Sequence, residues 1–227
     1  MSQLQTIEYE TAADPRASII VLHGLGADGN DFAPIAESMR LEPVGPVRFV
    51  FPHAPVMPVT INNGWPMRAW YDILGTELQR SEDEPGLRRS RDAVDALLRR
   101  EQERGVPSGR IVLVGFSQGC AMALLTGLRH AQPLAGIAGL SGYLPLAART
   151  AEERHAANAR VPVFLGHGTQ DAIVQVERGR ASRDLLLSLG HEVQWHEYPI
   201  GHTVSPQELA ALQDWLLRVL AQPDARA

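Results

Sequence analysis

Residues 111–129 read IVLVGFSQGCAMALLTGLR. Ile111 to Phe116 is a continuous apolar run of strand length, and Gln118 to Arg129 is rich in Ala and Leu, as a buried helix is. Ser117 stands between them, in Gly115-Phe116-Ser117-Gln118-Gly119. A side chain on so tight a strand-to-helix turn is lifted clear of the sheet. The turn needs small neighbours, and the helix N-terminus supplies N–H groups and a positive dipole where negative charge develops. The five-residue pattern is weak alone, because Gly and Ser are common. Its place between a strand and a helix is what gives it weight.

Working outward, further apolar runs alternate with helix-like segments. Ala17 to Leu22, Val47 to Phe51, Ile137 to Leu140 and Val161 to Leu165 read as buried strands, and Glu192 to Tyr198 alternates apolar and polar as a last strand can. Leu87 to Arg104, Glu177 to Leu189 and Ser205 to Leu220 read as helices. Gly190 is a stop signal, and S-P-Q-E at Ser205 offers a cap, a first-turn Pro and a Glu three residues on. Continuous apolar strands imply a mostly parallel sheet covered by helices on both faces, in one α/β domain spanning residues 1–227. Phe51 to Leu78, with Pro52, Pro55, Pro58 and Pro66 among Trp65, Trp70 and Tyr71, reads as a long packed loop.

Composition removes several chemistries. All 21 basic residues are Arg, so a Lys Schiff base, a Ser–Lys dyad and a Walker-type phosphate loop are excluded. A net charge of −5 argues against nucleic acid. One cysteine, Cys120, allows no internal disulfide. The start MSQLQTIEYE has no basic region followed by an apolar run, and no stretch approaches membrane-spanning length, so a cytoplasmic protein with no membrane span is expected.

A nucleophilic Ser needs a base and an acid, which in this arrangement follow in chain order on loops after strands. Of the eight histidines, His202 alone falls in the loop after the last strand. Asp171 follows the VPVFLGHG strand by a few residues, while the other acids fall in helices or in the last strand. Asp171 has a plainer reading as a turn former. The turn His23-Gly24-Leu25-Gly26 after the first strong strand is placed to give a backbone N–H from Leu25 to an oxyanion, with Gln118 giving the second.

Two patterns compete. Gly24, Gly26 and Gly29 spell G-x-G-x-x-G after a strand, the mark of a dinucleotide-binding oxidoreductase, but the next strand ends in Pro52-His53 with no acid for a ribose. His191-Glu192 with His196 resembles a zinc helix, but the histidines are five apart and in a strand, so no metal is expected. A catalytically silent binding protein is the other alternative, opposed by the complete Ser, His and Asp set.

HGLGADGNDF at residues 23–32, FPHAPVMPVTINNGWPMRAWYD at 51–72, GFSQGC at Ser117, SGYLP at Tyr143, HGTQDAIV at Asp171 and GHTVSPQEL at His202 together resemble the carboxylesterase family that includes acyl-protein thioesterases and lysophospholipase-like enzymes. The resemblance implies a single-domain α/β-hydrolase with no large lid domain and no cofactor. It implies a serine hydrolase cleaving short- to medium-chain carboxylic esters, with thioesters and lysophospholipids as further candidates, and it allows a homodimer. The same Ser117, Asp171 and His202 emerge as the implied triad. Trp70, Ile73, Leu74, Ile173 and Val174 are candidates for an acyl channel, with core packing as the plainer role. The family commonly carries a second Gly where this chain has Cys120, so packing beneath the turn is expected to differ.

Overall fold

The computed structural model describes residues 4–75 and 82–221. In chain order its elements are β1 (Thr6–Glu10), β2 (Ala17–Leu22), α1 (Ala33–Ser38), β3 (Val47–Pro52), β4 (Val56–Val59), β5 (Trp65–Arg68), α2 (Glu84–Glu103), β6 (Ile111–Phe116), α3 (Gln118–Gly127), β7 (Gly136–Leu140), α4 (Thr150–Glu153), β8 (Val163–Gly168), α5 (Val176–Ser188), β9 (Val193–Tyr198) and α6 (Pro206–Ala221). Among the described residues the main sheet runs β1-β3-β2-β6-β7-β8-β9, and only β1 is antiparallel to its neighbour. Alternate side chains of the strands feed two cores. Ile20, Leu22, Leu113, Ile137 and Leu165 pack with α2, α3 and α5, while Ile19, Val21, Phe49, Val114 and Phe164 pack with α1 and α6. That period of two, apolar on both faces, is why these strands read as unbroken hydrophobic runs.

The strand order sets the site. From β2 the chain moves to β3 on one side, and from β6 it moves to β7 on the other, while β2 and β6 are neighbours. This is a switch point, and the crevice outside the carboxyl ends of such strands is where open α/β sheets bind ligands. Ser117 and the His23–Leu25 turn stand there.

Three features differ from expectation. β1 was not anticipated: it docks through charge as much as through Ile7 and Tyr9, with Glu8 on Arg100 and Arg104 and Glu10 on Arg48. The Pro-rich segment is not a structureless loop. Its middle is a hairpin, β4 with β5, in which Pro58 lies opposite Pro66; two strands standing apart from the main sheet tolerate prolines that a central strand would not. The last residues of that segment, 76–78, lie outside the described residues. β8 starts at Val163 rather than Val161, because Pro162 has no N–H to give the ladder.

The cap of α6 is also only half the expected box. Ser205 Oγ accepts from Glu208 N–H at 3.1 Å, but the Glu208 carboxyl does not return the bond. It is fully buried, and neither oxygen has a partner among the described residues. Burial raises its pKa from an ordinary 4.5 to about 7. The folded state therefore keeps a proton that the unfolded chain releases, so this stabilisation is complete below pH 4.5 and is lost as pH rises through about 7. A Glu208→Gln variant is expected to lose that slope, which amounts to about 3 kcal/mol in the parent. Urea unfolding of both proteins at about pH 5 and about pH 8 checks it; parallel pH profiles would contradict it.

Candidate active site

Ser117 links β6 to α3 with φ 56° and ψ −117°, a conformation costly for a residue with a Cβ. Two close approaches hold it there. A Cβ on Gly115 would lie 2.1 Å from the Gly119 carbonyl oxygen, and one on Gly119 would lie 2.0 Å from that of Leu22. The pattern's glycines are thus required by backbone-to-backbone packing of α3 on β2 and β6. The Ser117 N–H is also committed, donating to Leu140 O at 2.9 Å.

His202 and Asp171 arrive from loops after β9 and β8. Those loops are joined by main-chain hydrogen bonds: Thr169 N–H to Tyr198 O at 2.7 Å and Gln170 N–H to Ile200 O at 3.0 Å. His202 Nε2 lies 2.9 Å from Ser117 Oγ, and its Nδ1 lies 2.6 Å from Asp171 Oδ2. A carboxylate on one side and a hydroxyl on the other assign the ring proton to Nδ1, leaving Nε2 to accept from the Ser117 O–H. The other Asp171 oxygen accepts from Ile173 and Val174 N–H, both at 2.8 Å. The plainer reading of Asp171 as a turn former and the reading as a partner of His therefore hold together, one oxygen for each. His167 is buried below, donating from Nε2 to Val174 O at 2.8 Å and standing 3.6 Å from Asp171 Oδ2. Burial holds its pKa below the usual histidine value, so the ring is neutral near pH 7.

Leu25 and Gln118 face the same cavity as Ser117 and His202, a space of about 270 Å³. Both are pinned. Gly26 N–H donates to Arg68 O at 2.9 Å, which fixes the turn after Leu25 against β5. The Gln118 side chain accepts from Trp70 N–H at 2.9 Å and donates to Tyr71 O at 2.8 Å. As the first residue of α3, Gln118 has an N–H with no carbonyl one turn earlier to bond within the helix. Sequence reasoning missed the side-chain role of Gln118, because its partners lie in a segment read as irregular.

The apolar candidates divide. Ile73, Leu74, Ile173 and Val174 line the cavity, with Leu74 and Ile173 exposed at its mouth. Trp70 does not. It is 1% exposed, and its indole N–H donates to His23 O at 2.9 Å. A buried indole needs such an acceptor, and the carbonyl under the site provides it. Tyr71 takes the wall position instead, its hydroxyl 3.2 Å from that of Tyr143.

Cys120 is buried beneath the turn, and burial pushes its thiol up to about 12. Its side chain occupies space left by two glycines: a Cβ on Gly139 would lie 2.5 Å from the sulfur, and one on Gly142 would lie 2.4 Å from the Cys120 Cβ. The competing patterns do not assemble. Gly29 N–H bonds His53 Nδ1, and α1 begins only at Ala33, so the Gly-rich turn does not open a helix as a dinucleotide loop does. His191 approaches Val161 O, whereas His196 stacks on Phe164.

A strained strand-to-helix turn at a sheet switch point, with loops converging on it from two later strands, defines the chain as an α/β-hydrolase. A family model described as phospholipase/carboxylesterase matches residues 5–220. Acyl-protein thioesterase 1 of Mycosarcoma maydis is 39% identical, with 97% of this chain and 99% of the relative covered. Among solved structures, Arabidopsis thaliana SOBER1 is 31% identical at a TM-score of 0.86, covering 90% of this chain and 99% of its own. Zea mays acyl-protein thioesterase 2 is 28% identical at a TM-score of 0.82, covering 95% and 99%. The chain belongs to the phospholipase/carboxylesterase family, and it is a carboxylic ester hydrolase.

Proposed function

We propose that Ser117 is the nucleophile, His202 the general base and acid, and Asp171 the residue that orients His202, with the Leu25 and Gln118 N–H groups as oxyanion donors. The observation that carries this reading is the chain of short hydrogen bonds from Ser117 through His202 to Asp171 at the edge of one cavity. Ser117 Oγ attacks the substrate carbonyl carbon as its proton passes to His202 Nε2. The carbonyl oxygen takes up negative charge facing the two N–H groups. The tetrahedral species then collapses, and the leaving alcohol or thiol takes the proton from His202. A water, deprotonated by His202, attacks the acyl-enzyme and releases the acid and Ser117. Asp171 stabilises the imidazolium and holds its tautomer throughout. Donors pinned before substrate arrives lose little free energy to reorganisation, which is how an oxyanion hole lowers the barrier.

The substrates are short- to medium-chain carboxylic esters and thioesters. A cavity near 270 Å³ stands just below the usual range of ligand pockets, about 300–1,000 Å³. Its apolar mouth at Leu74 and Ile173 suits an acyl chain, and relatives named acyl-protein thioesterase favour the thioester extension. A series of p-nitrophenyl esters and matched thioesters of increasing acyl length tests this. The expected kcat/KM rises through short chains, by about 3-fold or more per methylene in contact, and falls once the chain outgrows the cavity. A profile flat with length would remove the acyl-channel role of these residues, and no turnover on any member would remove the proposed function.

A further inference from the structure

We infer that Arg178 reads an anionic group on the substrate, so that the cleft selects esters carrying a carboxylate or phosphate away from the scissile carbonyl. This rests on the catalytic reading above and names a substrate class for the same site.

Arg178 lies in the first turn of α5 and on the cavity wall. Its guanidinium carbon is 3.4 Å from the centroid of the Tyr143 ring. Nη1 is shut off from solvent and has no hydrogen-bond partner among the described residues. Among the described residues no carboxylate pairs with it, although nearby arginines of the same helix are paired: Arg180 with Glu197 and Arg183 with Asp184. The placement is electrostatically poor twice over. A helix N-terminus is the positive end and disfavours a cation, and a buried donor without an acceptor costs free energy. An anion in the cleft, met by the part of Arg178 that lines the cavity, offsets the first penalty.

The cavity's own carboxylates do not serve. Asp72 accepts from Thr60 N–H and Oγ1–H, Asp83 caps α2 and accepts from Asp72 N–H, and Glu82 accepts from Leu146 N–H. Those three are tied to local main chain, and neither they nor Asp31, the fourth carboxylate on the wall, lies within ion-pair distance of Arg178. The Tyr143 face fixes the guanidinium plane, and a fixed fork of N–H donors is the geometry that accepts a carboxylate or phosphate through paired bonds.

The test compares matched esters on the intact protein. Monoethyl adipate and ethyl hexanoate differ only in a terminal carboxylate for a methyl on the acyl side. Glycerol 3-phosphate monobutyrate and glycerol monobutyrate differ in a phosphate on the alcohol side. The wild-type enzyme is expected to favour the charged member of at least one pair. Arg178→Gln is expected to lower the charged-to-neutral ratio of kcat/KM by about 10- to 100-fold, and Arg178→Lys, which keeps charge but loses the fork, is expected to restore part of it. A loss confined to the adipate pair assigns a carboxylate on the acyl side, and a loss confined to the glycerol pair assigns a phosphate on the alcohol side. Ratios near one in the wild type, or ratios unchanged in Arg178→Gln, would overturn the inference while turnover of the neutral esters keeps the catalytic reading intact. Absence of turnover on every ester would strike both.

Discussion

Replacing Ser117 by Ala is expected to lower turnover of a p-nitrophenyl ester by about 10⁴- to 10⁶-fold while leaving the fold in place. The residual rate is expected to reflect substrate binding and the proposed oxyanion donors, which the substitution does not touch. The folded state loses little, because among the described residues the Ser117 hydroxyl has one hydrogen-bond partner, His202. Its backbone angles make a second variant informative. At φ 56° and ψ −117° any residue with a Cβ is strained. Ser117→Gly is therefore expected to be more stable than Ser117→Ala by about 1–2 kcal/mol, with the same loss of turnover. Stability and activity are opposed at this residue, as they are where strain positions a reacting group. Denaturant melts and progress curves on the variants separate the two effects.

Gly119→Ala is expected to be severely damaging for a single added methyl. The added Cβ would meet the Leu22 carbonyl oxygen at 2.0 Å and that of His23 at 2.7 Å. Both acceptors are main chain at the carboxyl end of β2, so no rotamer change relieves the contact. Overpacking against movable side chains costs about 1–3 kcal/mol, and a clash with fixed backbone belongs at or above the top of that range. Turnover of the remaining folded protein is expected to fall a further 10²-fold or so, because separating α3 from β2 moves the Gln118 N–H away from the turn that carries Leu25. Gly127→Ala is the comparison: its Cβ meets the end of the Ile137 side chain at 2.5 Å, which can shift. A smaller loss of stability and nearly full turnover are expected there. Equal effects at the two positions would mean that the packing of α3 on β2 does not govern the site.

How much of this was readable beforehand depended on where each signal lay. The buried parallel strands were legible because both faces are covered, so runs such as ASIIVL need no partner to be recognised. The residues that meet at Ser117 were legible because chain order in this arrangement leaves few loops to search, and His202 and Asp171 occupy them. What escaped was decided by neighbours distant in sequence. β1 is held by Arg48, Arg100 and Arg104, none of which its own five residues reveal. The β4–β5 hairpin hides behind prolines that only strands outside the main sheet accept. Trp70 belongs to the core rather than the channel because a carbonyl at His23 satisfies its indole. The room for Cys120 comes from Gly139 and Gly142, two apparently unrelated glycines of the next strand and its loop. Glu208 matches a capping box by spacing, yet its carboxyl is drawn into the interior beside Gly166, where a Cβ would meet it at 2.1 Å.

Active-site labelling tests most directly whether Ser117 carries the acyl group. The wild-type protein is treated with a fluorophosphonate, digested, and the adduct is located by mass spectrometry while residual esterase activity is followed. A single adduct on Ser117, formed in step with the loss of activity and absent from Ser117→Ala, is the expected result. Complete loss of activity with Ser117 unmodified and the label on another residue would contradict it.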